Sequence, residues 1–534
     1  MKLLNTIRNC FIASLVIGMT GCSVDPELTD VYPEEVAWSS EANMELSLNK
    51  FYPLIGQTYY TSAIQQDALS DVLKMNSPTA EQNLLALGST IITPASNLLG
   101  NWSWGYTWVK TCNEFLDGLQ TKGGHLPEAT RLRAEAEVRF FRAYVYFEMA
   151  KRYSASLVLF DKLPELGNSN HARSTEAEGW DFIAADLDYA ANNLPPTVEA
   201  AKRGKLTKGA AYALKARAML YAKRWKASTD AVEALDQLNM YDLHPNYAGL
   251  FMQRRSSPIE NKESIVEFGY STPNFGYSFD YFFCPPGDRG YAQVSPTEDL
   301  VSQYQMADGA DFSWSNTELA AHPYKNREPR FYASILFDSA SWKGRRIQAY
   351  EGGTDGWAVG GGTTCTGYYM RKLFDSTVKT QDVGFQPGEL TYYFIRYAEV
   401  LLIYAEACVE QNRYEDGLAA LNKVRRRAGF TTDLTAGSKE DFMRLLRHER
   451  MIELAFEGHR YWDLRRWGLA SSVLNGTNVT GTRITKKTDG SFTYQQVDAD
   501  NGRKRLYPER YNRFPIPSSE ISTNLLIDQY DEWK

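Results

Sequence analysis

The sequence predicts a mainly α fold: a scaffold of stacked helical hairpins that carries an irregular, loop-rich aromatic subregion. Three observations predict it. Apolar residues recur at three- and four-residue spacing over most of the chain. Two of the periodic stretches are lined with small residues and have a large aromatic at the bend. Between about residues 261 and 390 the periodicity fails, and aromatics and glycines crowd together. Composition agrees, since 43% hydrophobic and 13% aromatic residues over 534 positions suit a packed chain rather than a disordered one.

The first element is an export signal over residues 1–21. Lys2 and Arg8 give a basic start, Phe11 to Met19 is a short apolar run, and small residues precede Cys22. The run is far below the roughly twenty residues of a membrane-spanning helix. A small residue and a Cys closing such a run resemble the bacterial lipobox, with Met19 standing where Leu is commoner. Cys22 is therefore expected to carry lipid, and two or three acyl chains on one residue anchor stably. Residues 22–40 open with the acidic stretch SVDPELTDVYPEE and read as an exposed tether. Residues 41–534 read as one domain: helical over 41–260, loop-rich over 261–390, helical again over 391–534.

Within that domain, Ala134, Val138, Phe141, Val145 and Met149 mark one face of an amphipathic helix. Thr175-Glu176 opens the next, which Pro195-Pro196 stops. LTKGAAYALKARAMLYAKR and WKASTDAVEALDQLN form a helical pair with Ala210, Ala213 and Ala218 along it and Tyr221 and Trp225 at the bend. TYYFIRYAEVLLIYAEACVEQ, Tyr414 and EDGLAALNKVRRR repeat that design, all read as helix. Such pairs resemble the tetratricopeptide repeat, whose stacked units bind more often than they catalyse. From about Phe268 to Phe374 long loops and a few short strands are expected, mounted on the helical frame.

Several function classes are disfavoured. The formal charge is −7, and −9 once the signal is gone, so the basic footprint of a nucleic-acid binder is missing. Lys423 and Arg425 to Arg427 read as a solvent-facing helix end that complements the dipole. Cys112, Cys284, Cys365 and Cys408 show no CxxC spacing, so no metal or redox motif is supported. Cys112 and Cys408 read as small buried hydrophobes, and no disulfide pairing is selected. His448-Glu449 begins like a zinc-protease motif, but Ile452 stands where the second His must sit. Glu449, Glu453 and Glu457 share one helical face and read as a salt-bridged row or inter-helix clamp rather than a catalytic pair. No nucleophile elbow, phosphate loop or dinucleotide fingerprint appears, so neither an enzyme nor a cofactor is expected.

The last third carries a family resemblance. Arg396-Tyr397-Ala398-Glu399 running into Tyr404-Ala405-Glu406-Ala407, then Asn422, Val424, Arg425, Arg427 and Gly429, then His448 to Gly468, and finally Phe514-Pro515-Ile516-Pro517 with Glu520-Ile521 and Asn524 resemble, in order, four motifs of the SusD/RagB family. The helix around Arg139 to Ala143 and the lipobox also fit. Leu525, where Pro is usual, and Tyr530, where Asn is usual, depart from the pattern. The resemblance implies a SusD-like, outward-facing outer-membrane lipoprotein that captures oligosaccharide, hands it to a TonB-dependent, SusC-like transporter and does not cleave it. A peptide as cargo is the alternative, because tetratricopeptide grooves also take peptides.

Sugars present apolar C–H faces ringed by hydroxyls, so a binding site wants flat aromatic rings beside amide, carboxylate and guanidinium groups. On that basis Trp102, Trp314, Trp342 and Trp357 are the expected platforms, with Tyr281 and Tyr324 behind them and Arg289, Asn316 and Asp355 as polar neighbours. Trp104 and Trp108 lie at helical spacing with Val109 and are expected to be buried, whereas Trp102 precedes that run and is expected at the surface.

Overall fold

The computed structural model describes residues 34–56, 64–165, 167–254, 261–272, 276–357, 362–377 and 388–534. Cys22 and the export signal lie outside the described residues. Helices follow the periodic stretches. α1 is Trp102–Thr121, α2 Glu128–Tyr153, α3 Glu176–Asn193, α4 Lys208–Tyr221 and α5 Trp225–Asp236. In the last third, α6 is Tyr397–Glu410, α7 Tyr414–Arg427, α8 Lys439–Glu453 and α9 Arg460–Arg466. Each helix from α1 to α5 packs on the next, α5 then packs on α6, and α6 packs on both α7 and α8. Among the described residues, no helix is long and apolar enough to cross a membrane.

Local chemistry explains these elements. Thr175 and Glu178 form a reciprocal capping box at the start of α3, the arrangement that satisfies two otherwise unpaired backbone donors. Ala210, Ala213 and Ala218 are fully buried in α4, so the neighbouring helices approach closely. The two hairpins α4–α5 and α6–α7 are copies down to the turn. Lys223 and Asn412, each two residues before the aromatic that starts the second helix, are both left-handed, with φ of 56° and 62°. The Arg224 amide bonds to the Met219 carbonyl, and the Arg413 amide to the Cys408 carbonyl, each at 2.9 Å.

Strands are short and pair by twos. β1 (Leu73–Met75) pairs antiparallel with β3 (Val294–Pro296), and β2 (Ser264–Gly269) with β4 (Thr391–Arg396). The TYYFIR segment is therefore a strand rather than the start of a helix. Its aromatic and branched residues are buried on both faces, an environment that favours extended backbone over helix. A hairpin of β5 (Thr480–Lys486) and β6 (Phe492–Asp498) also lies within the stretch expected to be helical. The middle of the chain has the expected loops, with short helices at Phe279–Phe283, Glu298–Val301, Thr317–Ala321 and Pro329–Ser334.

The middle is locked to the scaffold by a buried ionic network. Glu449 and Glu453 of α8 and the following Glu457 form the expected clamp, but they are buried and their partners come from elsewhere. Arg330 reaches Glu328 at 2.8 Å, Glu449 at 2.6 Å and Glu453 at 3.0 Å. Arg396 reaches Glu263 at 2.7 Å, Glu453 at 2.6 Å and Glu457 at 2.7 Å. Arg425 pairs with Glu449, and Arg427 with Glu263 and Glu453. The basic end of α7 thus faces solvent only at Lys423 and Arg426; Arg425 and Arg427 turn inward because α8 presents carboxylates to them. Cys112, Cys284, Cys365 and Cys408 are buried free thiols.

Candidate functional site

The structure sorts the expected platforms by burial, and burial decides what a ring can touch. Trp102 opens α1 but is only 3% exposed, its ring edge-on to Tyr153 at 5.2 Å. The surface expectation for Trp102 is therefore corrected. Trp104 and Trp108, expected inside, are half-buried, packed against the core but not enclosed by it. The face of α1 that meets α2 is set by Trp102, Gly105, Val109 and Cys112. At Gly105 a Cβ would stand 2.1 Å from the Met149 sulfur, so any larger residue there would force the Met149 side chain to shift.

Trp342 is 2% exposed and sits under Lys343, packed near Phe374. Its ring belongs to the core, and the expectation of an exposed platform there is also corrected. Asp355 is fully buried. It accepts bonds from Arg345 at 2.6 and 2.9 Å and from the Gly287 and Gln348 amides at 3.0 Å each, so its carboxylate is committed within the fold. Trp314 is half-buried, and its indole donates to Glu298 at 2.9 Å. Tyr324 packs against Phe337 at 4.7 Å and Tyr494 at 5.2 Å. Asn316 is exposed but caps the helix Thr317–Ala321. Trp357 is half-buried with Arg483 5.8 Å from its ring.

These residues do not converge on one place. Trp314, Asn316 and Tyr324 lie near the β5–β6 hairpin, and Trp357 lies against that hairpin's Arg483. Tyr281 lies in the short helix Phe279–Phe283, and the segment after it, with Arg289, folds back on it, the Tyr291 amide bonding to the Tyr281 carbonyl at 2.9 Å. There Tyr281 is half-exposed and meets Tyr291 at 4.8 Å between ring centroids, Tyr291 being 55% exposed, with Arg289 exposed beside them. Arg345, bridging Asp288 and Asp355, pins this loop from below.

A cleft of about 320 Å³ opens on the other side of Trp104. Trp104, Leu98 and Leu99 give it an apolar wall, and Gln65, Gln82, Glu81 and Asn101 ring it with amide and carboxylate groups. The loop that carries Leu98 to Asn101 is held rigidly. Arg152 donates to the Leu99 carbonyl at 2.9 Å, and the Asn101 amide donates to the Tyr153 hydroxyl at 2.9 Å. Beneath, Glu148 bonds to Lys151 at 2.7 Å and to Arg152 at 2.8 Å. Burial pushes the Glu148 pKa up, but the Lys151 and Arg152 charges outweigh it and hold the carboxyl below its ordinary value. Burial draws the Lys151 ammonium down to about 8.

The cleft and the Tyr281–Tyr291 pair are joined by a short stretch of chain. Asn76 donates its backbone amide to Gln293 at 2.9 Å, and Asn83 of the helix Glu81–Ala86 bonds back to Met75 at 2.8 Å and to Ser77 at 2.7 Å. Asn76 and Asn83 are buried, so they tie the two regions together beneath the surface. Sequence reasoning expected Trp104 to be buried and did not single out Tyr291, which is 55% exposed.

Comparison with known proteins shows the family of the chain. A model described as the SusD family matches residues 261–533, just over half the chain. A second, described as "Starch-binding associating with outer membrane", matches residues 29–220. A SusD-like protein of Bacteroides ovatus is 25% identical over 476 residues, covering 81% of each chain. The crystal structure of a SusD-like protein from Bacteroides fragilis superposes with a TM-score of 0.80 at 27% identity, covering 94% of this chain and 99% of that one. A SusD-like carbohydrate binding protein from the same species gives 0.79 at 26% identity, covering 92% and 99%.

Proposed function

From the premise that the chain belongs to the SusD family, we propose that it binds a glycan without cleaving it, in the Trp104 cleft and across to Tyr291. The observation that carries this is the cleft: a half-buried indole and two leucines beside glutamine, asparagine and glutamate side chains, with the Leu98–Asn101 loop fixed by Arg152 and Tyr153. The indole face takes the apolar face of a sugar ring, and the amides take its hydroxyls. The rings are pre-positioned, so little ordering cost falls on binding. The relatives support the ligand class, since one is a carbohydrate binding protein and the amino-terminal family model is described as starch-binding.

Cleavage would need one carboxyl kept protonated as acid and a second as base or nucleophile. Glu148, the inner carboxylate of the cleft, is committed to Lys151 and Arg152 and held ionised. Glu453, on the row that could mimic such a pair, is tied to three arginines. The surface therefore offers recognition rather than acid–base chemistry.

The outer-membrane association in the amino-terminal family description agrees with an export signal over residues 1–21 followed by Cys22. In this proposal a lipid on Cys22 tethers the domain to the outer membrane, facing the exterior, and the captured oligosaccharide passes to a SusC-like, TonB-dependent transporter. The test is affinity electrophoresis of the purified domain through gels holding amylopectin, laminarin, xyloglucan, galactomannan, xylan or levan. Retardation by at least one, with its chain length unchanged after long incubation, is the expected result. Free migration in all of them, with binding of an oligopeptide pool instead, overturns it in favour of a peptide cargo.

A further inference from the structure

We propose that the chain carries a second saccharide site on the opposite flank of α1, in a pocket walled by Tyr106, Phe160 and His171 and floored by Trp102. The proposal takes its ligand class from the glycan-binding reading above, but its location stands on separate geometry. The pocket holds about 300 Å³, within the range of small-ligand sites. Phe160 stands edge-on to Tyr106 at 6.0 Å and to His171 at 4.9 Å, and Trp102 lies 5.2 Å from Tyr106. Three of these rings are half-buried and one is buried, which gives partly open walls on a closed floor.

The walls are set before any ligand arrives. The Tyr106 hydroxyl accepts from the Val158 amide at 3.0 Å and donates to the Val158 carbonyl at 3.2 Å. The His171 backbone is clasped by the Asn524 side chain, at 3.1 Å from its amide and 2.9 Å from its carbonyl. Around the mouth stand the exposed Ser103 and Lys110 and the half-buried Glu520. One cation and one carboxylate leave the mouth without a charge bias toward a uronate or sulfated sugar. Flat rings with a hydroxyl, an ammonium and a carboxylate beside them suit a neutral sugar ring.

Trp102 and Trp104 are two residues apart, about 200° around a helix of 3.6 residues per turn. One turn of α1 therefore serves two separate pockets. A polymer long enough to span both would gain affinity without any new contact.

Isothermal titration tests this with the polysaccharides named above and the trisaccharide of each. The proteins are the wild type, Trp104→Ala, Phe160→Ala, Glu520→Ala, Trp104→Ala/Phe160→Ala and Trp104→Ala/Glu520→Ala, each checked by its melting curve. The expected result is residual trisaccharide binding in Trp104→Ala that falls about tenfold or more when Phe160→Ala is added. Glu520→Ala, at the mouth, should weaken the same residual binding and leave the melting curve in place, which separates loss of the site from loss of fold. If Trp104→Ala alone abolishes every interaction, the second site is overturned while the cleft reading stands. Residual binding that neither Phe160→Ala nor Glu520→Ala alters also overturns it. If the wild type binds no glycan in the panel, both readings fall.

Discussion

Glu453→Gln separates stability from function in this chain. The substitution keeps the shape of the side chain but replaces a carboxylate by an amide. In the native protein that carboxylate accepts from Arg330 at 3.0 Å, from Arg396 at 2.6 Å and from Arg427, all within a fully buried setting. The amide nitrogen would confront guanidinium donors, and one negative charge would be lost among three positive ones. Breaking a buried pair from one side costs about 3–5 kcal/mol. A chain of 534 residues carries an unfolding entropy on the order of 1 kcal/mol per kelvin if it melts as one unit, so Tm should drop by about 3–5 °C. Burial raises the pKa of the neighbouring Glu457, but Arg396 and Lys372 outweigh it and pull it to about 2 from 4.5. A depressed carboxylate stabilises fully above pH 4.5, and its contribution, about 3 kcal/mol, is lost as pH falls from there through about 2. Differential scanning calorimetry of both proteins between pH 7 and pH 3, with glycan titration at pH 7, is the assay. An unchanged Tm with altered glycan binding or a lost hydrolytic activity would refute the clamp and return Glu453 to a functional role.

Burial pushes the buried His459 down to about 4 from 6.5. The unfolded chain takes up this proton first, so stability should fall as pH drops from 6.5 toward 4. A His459→Gln variant should flatten that part of the curve, as read by urea unfolding at stepped pH. Trp342→Ala should cost about 3–5 kcal/mol, as for other large core truncations, in chemical denaturation. It should leave the dissociation constant of a bound glycan near the wild-type value, whereas a tenfold loss of affinity with unchanged stability would restore Trp342 as a platform. Cys22→Ala should release the full-length protein from membranes with its melting curve unchanged, measured by fractionation of cells lacking the transporter. Continued membrane residence there contradicts the lipid anchor.

The helices were legible because their apolar period and caps are local. The capping box at Thr175 and the small-residue pairs of α4 and α6 need no knowledge of partners. What the sequence concealed depends on partners. TYYFIR joins an apolar helix without a break, and only its pairing with Ser264–Gly269 makes it a strand. The row Glu449, Glu453 and Glu457 is visible as a row, yet Arg330 and Arg396, its main partners, come from far away in the chain. On α1 the period was clear and its phase was not. Trp104 and Trp108 form as good a stripe as Trp102 and Gly105, and the packing against Met149 decides between them. The small residues Gly105 and Cys112, at helical spacing from Trp102, were the available signal for the buried side. Asp355 and Asn316 looked like free polar groups because nothing local shows that one is bound by Arg345 and the other caps a helix.

The most direct test of the account is glycan affinity at the cleft. Trp104→Ala, Tyr291→Ala and Trp102→Ala should be titrated calorimetrically with whichever polysaccharide retards the wild type, alongside melting curves. The account predicts that Trp104→Ala weakens binding by about tenfold or more with little change in Tm, that Tyr291→Ala weakens it less and also without loss of stability, and that Trp102→Ala lowers Tm. Full affinity in both Trp104→Ala and Tyr291→Ala, with the fold intact, would contradict it.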